Sequence, residues 1–143
     1  MSHFVRDWMS SPVVVVDPES SVSFAMTLMR RRHIHSLVVV LKENHETTYG
    51  IITTTDIRDK IIAASRNPAE TTVREIMTIP VYTARPDWTL VECSRKMQEK
   101  NVHHFPVVDD NNELIGMITA TDLFMAAEEI GWVSDKESRK AAD

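Results

Sequence analysis

Apolar and polar positions alternate along this chain in two recurring periods. Apolar residues return at i, i+3 and i+7 at Val22, Ala25 and Met29, and Leu90, Cys93 and Met97 repeat that spacing. Residues so spaced share one helix face, which predicts two amphipathic helices. Each is followed by a short apolar run rich in β-branched residues, 37–41 and 105–108, which reads as a buried strand. A polar loop then leads to a further strand at 49–53 or 114–119, and a last helix begins near Asp56 or Asp122. Ahead of each amphipathic helix a brief strand is predicted, at 13–16 and 81–83, each just after a proline. Each half opens with a turn of helix ending near Met9 or Met77. The unit is strand-helix-strand-strand-helix, twice.

The repetition extends to individual residues. Val5-Arg6-Asp7-Trp8-Met9 aligns with Val73-Arg74-Glu75-Ile76-Met77, and Pro12, Pro18 and Met29 align with Pro80, Pro86 and Met97 without a gap. His35 meets His103, and Val39-Val40 meet Val107-Val108. The register then slips by two residues in the polar stretch 42–48, where a hairpin loop tolerates a length change. Gly50-Ile51-Ile52-Thr53-Thr54-Thr55-Asp56 resumes against Gly116-Met117-Ile118-Thr119-Ala120-Thr121-Asp122. Two of the chain's three glycines are thus repeat partners. Glycine and proline mark special backbone geometry, so the halves share a backbone plan. Repeat 1 is read as 3–66, a linker as 67–72 around Asn67-Pro68, repeat 2 as 73–131 and a polar, fraying tail as 132–143. Each half alone is about the size at which a single core is marginal, so the two are expected to pack together. Thr89 and Glu92 suggest a capping box at the second amphipathic helix.

Composition narrows the class. With 43% apolar and 26% charged residues in 143, the chain is rich enough in core-forming residues to fold without metals or disulfides. A single cysteine, Cys93, excludes an intrachain disulfide and points to a reducing, cytoplasmic setting. The N-terminus lacks a signal-peptide pattern. The longest apolar runs are far below the roughly 20 residues of a membrane span, so no membrane association is expected. The net charge of −5 argues against a generic nucleic-acid binder, which would be basic. The one basic cluster, Arg30-Arg31-Arg32-His33, falls at a predicted helix end, where the dipole favours cations; a phosphate-contact or partner-docking role is the other reading.

The chemistry-bearing pattern is Gly-(two apolar)-Thr-x-x-Asp at the strand-to-helix junction, present in both halves. One reading is structural, with Thr53 or Thr119 as N-cap and the aspartate completing a capping box. The other is functional. The glycine permits close approach to the backbone, the helix start suits phosphate, and a carboxylate there can accept two hydrogen bonds from a ribose diol. No P-loop, nucleophile elbow or triad is present, so the chain is read as a binder and not an enzyme. Cys93 lies on an apolar helix face and reads as core. His33 and His45 read as solvated helix-end and loop residues. His35 and His103 recur in register and suit either packing between the repeats or facing a phosphate. His103 and His104 point to opposite strand faces, so only one of them reaches a given pocket. No zinc-ligand spacing is seen. Trp8 and Trp88 are candidates for the repeat junction, and Trp132 for an interface.

Together, Val5-Arg6-Asp7-Trp8-Met9, the proline-anchored strand, His103-His104-Phe105-Pro106-Val107 and both Gly-x-x-Thr-x-x-Asp motifs resemble the cystathionine-beta-synthase (CBS) domain family in its tandem-pair form, the Bateman module. The resemblance covers residues 3 to 130. It implies an α/β fold of the α+β type, with two pseudo-symmetric β-α-β-β-α repeats packed sheet to sheet. It further implies a sensor of adenosine-containing ligands (AMP, ADP, ATP or S-adenosylmethionine) bound between the repeats, with no required cofactor. Asp56 and Asp122 would hold the ribose hydroxyls, with Thr53 and Thr119 beside ribose and phosphate and Thr55 and Thr121 also among the ligand-binding residues. Crossed sites are implied. One combines Thr53 and Asp56 with Val81, Thr83, His103 and His104; the other combines Thr119 and Asp122 with Val13, Val15 and His35. Thr83 matches a threonine common in the family and Val15 does not, so the Asp56 site is expected to be the better one. A flat homodimer and a regulated protein partner are also implied. The alternative is a dimerisation or partner-docking module with silent pockets.

Overall fold

The structure, a computed structural model, describes residues 3–79 and 81–131. The expected tail at 132–143, Trp132 and Pro80 lie outside the described residues. In chain order the elements are α1 (Val5–Trp8), β1 (Val15–Val16), α2 (Val22–Arg32), β2 (Ser36–Glu43), β3 (Glu46–Thr53), α3 (Thr54–Ile57), α4 (Val73–Ile76), α5 (Leu90–Lys100), β4 (His104–Val108), β5 (Leu114–Thr119) and α6 (Ala120–Glu129). A π-helical turn, Arg58–Ile62, continues α3, and a single 3-10 turn, Pro68–Glu70, occupies the linker.

The amphipathic helices form as their spacing requires. Val22, Ala25 and Met29 of α2 and Leu90, Cys93 and Met97 of α5 are buried. Ser21 and Thr89 cap the starts by accepting from the amides of Phe24 and Glu92, both at 3.1 Å, the hydroxyl half of the box expected at Thr89. Both helices stop at a left-handed residue, His33 and Asn101, each with φ 54°. Arg30, Arg31 and Arg32 form the last turn of α2, where they complement the exposed carbonyls of the helix end.

In repeat 1, β1 runs parallel to β2 (Val15 opposite Val38), and β2 pairs antiparallel with β3 from Ser36–Thr53 to Glu43–Glu46. The hairpin closes through Asn44 and His45, both at positive φ. In repeat 2, β4 and β5 form the same hairpin, with an irregularity after Val107. The strand expected at 81–83 is reduced there to one parallel bridge between Ala84 and Val107. Val81 donates its amide to Tyr49 O of the other repeat at 3.2 Å. Only Ala84 joins β4, donating to Pro106 O at 2.8 Å and accepting from the Val108 amide at 3.0 Å.

The two sheets face each other through Val38, Tyr49 and Ile51 on one side and Val108 and Met117 on the other, with Val13 and Val81 at the margin. The result is a mixed α/β pair of β-α-β-β-α repeats packed sheet to sheet.

The opening turns are exchanged between the repeats. Val5 of α1 lies in the helical core of repeat 2, with Cys93, Phe105 and Ile118. Val73 and Ile76 of α4 lie in that of repeat 1, with Val22, Leu37 and Ile52. Backbone bonds fix each exchange. Val5 and Arg6 donate to Trp88 O and Pro86 O at 2.9 and 3.0 Å, and Val73 and Arg74 donate to Ser20 O and Pro18 O at 2.8 and 2.9 Å. Full burial of a valine side chain contributes about 1.5–3 kcal/mol, so each core is completed by a residue from the other repeat.

Candidate functional site

The site begins at the two glycines. A Cβ on Gly50 would meet Thr78 O at 3.1 Å and Met77 Sδ at 3.3 Å. A Cβ on Gly116 would meet Met9 Sδ at 2.4 Å and Ser10 O at 3.1 Å. The close approach foreseen at these glycines is therefore made by the polypeptide of the opposite repeat. Thr78 exchanges both backbone bonds with Ile51, at 2.8 and 3.0 Å, and Ser10 does the same with Met117, at 2.9 and 3.0 Å. Each motif strand thus carries on its flank the segment that opens the other repeat, which brings residues of both repeats to each motif.

Just beyond, the chain turns into a helix in the same way twice. Thr53 Oγ1 accepts from the Asp56 amide at 3.1 Å, and Asp56 Oδ2 accepts from the Thr53 amide and hydroxyl at 2.9 and 3.1 Å. Thr119 Oγ1 accepts from the Asp122 amide at 3.2 Å, and Asp122 Oδ2 accepts from the Thr119 amide and hydroxyl at 2.8 and 3.0 Å. The capping reading of the motif is thus realised at both junctions. It consumes only one oxygen of each carboxylate.

The other oxygens differ. Asp56 Oδ1 lies 3.0 Å from Lys60 Nζ and accepts from Thr78 Oγ1 at 3.4 Å. Lys60 is itself anchored, donating to Ile76 O at 2.8 Å. Asp56 is left only 8% exposed. Asp122 is half-buried, and among the described residues its Oδ1 has no hydrogen-bond or ion-pair partner. The position equivalent to Lys60 is Ala126, fully buried in repeat 2, and that equivalent to Thr78 is Ser10. A carboxylate with one free edge can accept from a vicinal diol; one already holding an ammonium and a hydroxyl must first release them.

The remaining predicted residues divide between the two sides. His35 O accepts from the Thr54 amide at 3.0 Å, and His103 O accepts from the Ala120 amide at 2.9 Å, so each histidine backbone abuts its own repeat's motif. The imidazoles of His35 and His103 are exposed, and that of His104 is half-buried. Burial, then the neighbouring His103 and His35, pushes the His104 imidazole below its ordinary range, with Asp122 opposing. His104 stands opposite Thr119 on β5, with His35 and Asp122 among the groups that act on it. Val13 and Val81 flank the sheet interface, and Val15 is exposed opposite Val38. Val81 and Thr83 line a cavity of 360 Å³ with Trp88, Phe105, Lys96 and Lys100. Thr55 and Thr121 are exposed on the first turns of α3 and α6. A larger groove of 630 Å³ lies on the helical side of repeat 1, between Met29 and Ile57, with Arg30 and Arg58 at its edge.

Cys93 is buried, and burial followed by the charge of Glu92 pushes its thiol up to about 11, the opposite of what a nucleophile needs. No helix among the described residues is long and apolar enough to cross a membrane. Reasoning from sequence missed Lys60 and Thr78. The signal for Lys60 was present, since a lysine four residues after an aspartate on a helix faces it. Thr78 comes from the other repeat and gave no local signal.

The family model described as "CBS domain" matches residues 5–63 and again 73–129. An uncharacterized protein of Methanopyrus kandleri is 33% identical over 122 residues, 85% of this chain and 61% of that protein. A homoserine O-acetyltransferase of Methanosalsum zhilinae is 37% identical over 119 residues, 83% of this chain and 23% of the enzyme. The chain thus spans only part of the length of these relatives. Among solved structures, the CBS domain pair of protein MJ0100 in complex with 5-methylthioadenosine and S-adenosyl-L-methionine superposes with a TM-score of 0.78 at 28% identity, covering 90% of this chain and 98% of that one.

Proposed function

The chain belongs to the CBS-domain family as a tandem pair, and from that premise we propose that it is a regulatory module binding an adenosine-containing ligand (AMP, ADP, ATP or S-adenosylmethionine) between its repeats. The observation that carries this reading is the duplicated junction in which a motif aspartate, fixed by its capping box, stands beside a segment of the opposite repeat. In the proposal the aspartate accepts from the ribose hydroxyls, and Thr53 or Thr119 with the helix-start amides lies toward phosphate. The ligand-bound MJ0100 pair supports an adenosine class of ligand. No catalytic role is proposed for the chain, nor any nucleic-acid or membrane partner, and its proposed setting is the cytoplasm.

A second reading, a dimerisation or docking module, is favoured by Ile62, Phe124 and Met125, which are 67%, 64% and 51% exposed. Ile62 ends the π-helical turn and the other two lie on α6, so both motif helices present apolar residues outward. The readings are compatible, with homodimerisation or a regulated partner covering these residues.

Thermal unfolding with each ligand, and with GMP as control, tests the proposal. A ligand at 100 times its Kd stabilises the native state by about 2.7 kcal/mol, which raises Tm by several degrees in a chain of this size. A rise with an adenosine compound, reduced by Asp122→Ala or Asp56→Ala, is the expected result. No rise with any of them, in protein shown to be folded and ligand-free, would leave the docking reading standing.

A further inference from the structure

The two motif carboxylates are equivalent in sequence and unequal in structure, and the inequality has one main source, Lys60. We infer that Lys60 is a latch that withholds Asp56 from a diol ligand, so that the cleft at Asp122 fills first. This deepens the adenosine-binding reading and rests on it.

Three observations point the same way. Both Asp56 oxygens are engaged, one by Thr53 and the other by Lys60 and Thr78, whereas among the described residues Asp122 spends only the oxygen that caps α6. Lys60 is held from its other side by Ile76 O, so its ammonium is seated between two acceptors. Ile76 belongs to α4, the turn exchanged from repeat 2, which makes the latch a contact across the repeats. At Ala126, the equivalent of Lys60, the side chain is apolar and fully buried and offers no cation to Asp122.

A ribose diol donates to one carboxylate edge. At Asp122 that edge is available. At Asp56 the diol must displace a charge-assisted contact, and such contacts are the stronger class of hydrogen bond. The Lys60 side chain is 44% exposed, which screens the pair, so binding at Asp56 should be weaker than at Asp122 by up to about tenfold. The order is the reverse of that suggested by Thr83 and Val15. Thr83 lines the cavity beside Trp88 and Phe105, while Lys60 occupies the acceptor itself.

Isothermal titration with AMP and with S-adenosylmethionine tests this on the full chain, comparing wild type with Lys60→Met, Lys60→Gln, Asp122→Asn and the Lys60→Met/Asp122→Asn double variant, each checked for cooperative unfolding. Wild type should bind one equivalent tightly and lose it in Asp122→Asn. Lys60→Met and Lys60→Gln should gain a second equivalent, which the double variant retains. An unchanged stoichiometry in both Lys60 variants, weaker binding in them, or tight wild-type binding that survives Asp122→Asn would overturn the latch while leaving the ligand class intact. Absence of binding in every folded variant would remove the adenosine reading and the latch with it.

Discussion

The hydroxyl of Tyr49, on β3 of repeat 1, donates to Asn112 O at 3.0 Å and accepts from the Leu114 amide at 3.1 Å. Asn112 answers with its side-chain amide to Thr47 O at 3.2 Å. One buried phenol thus ties the hairpin of repeat 2 to a strand of repeat 1 at the rim of the sheet interface. Tyr49→Phe keeps the ring in the interface and removes both bonds, leaving the Leu114 amide short of a partner. Stability should fall by about 1–3 kcal/mol, read as a lower urea midpoint at unchanged m-value. An unaltered midpoint would mean that water replaces the phenol there.

The glycine contacts give a second prediction. Gly116→Ala places a methyl against Met9 Sδ and Ser10 O, and Gly50→Ala places one against Thr78 O and Met77 Sδ. Met9 and Met77 can rotate away, but Ser10 O and Thr78 O are held by backbone bonds to Met117 and Ile51. Each substitution should cost about 1–3 kcal/mol, the usual range for overpacking, and the crossing segment should loosen first. Hydrogen exchange at the Ser10 and Met117 amides for Gly116→Ala, and at Thr78 and Ile51 for Gly50→Ala, reports this directly. Global loss without local loosening would place the strain elsewhere.

The exchanged turns predict effects that cross the repeat boundary. Val5→Ala opens a cavity among Cys93, Phe105 and Ile118, residues about a hundred positions away. Val73→Ala opens one in the core of repeat 1. Truncating a buried aliphatic residue costs about 1–3 kcal/mol by lost transfer and cavity terms. Amide protection should fall in β4 and β5 for Val5→Ala and in β2 and β3 for Val73→Ala. The reverse assignment would show that each turn serves its own repeat.

Much of this fold was legible because local signals agreed. Thr89 with Glu92 marks a helix start, paired apolar positions fill both helix faces, and Gly50 and Gly116 sit in register. The Thr-x-x-Asp capping boxes were readable for the same reason, since their bonds span three residues. The exchange of α1 and α4 was not. A duplicated sequence is satisfied equally whether Val5 packs on its own repeat or on the other. The reduced strand near Thr83 was hidden likewise, because the competing acceptor, Tyr49 O, is 32 residues away in the chain. At the site, the motif aspartates were identified from pattern alone, but their inequality was not, because it turns on Lys60 against Ala126 and on Thr78 reaching Asp56 from the other repeat.

The half-buried His104 predicts how stability depends on pH. Its imidazole titrates below the ordinary value, chiefly because burial disfavours the charged form and then because His103 and His35 stand nearby; Asp122 pulls the other way. The unfolded chain, where histidine has a pKa of about 6.5, therefore binds the proton more readily than the folded one. Above that value both states are neutral and His104 contributes no slope. As pH falls through it, the unfolded state takes up the proton first and stability declines, until the folded imidazole protonates in turn and the slope ends. Unfolding midpoints between pH 8 and 5 should show this decline in the wild type and a shallower one in His104→Gln. Asp122→Asn removes a neighbour that favours the imidazolium, so it should carry the decline to lower pH. A diol-bearing ligand at Asp122 leaves the carboxylate charge in place and should not. Equal slopes in wild type and His104→Gln would assign the dependence to other groups.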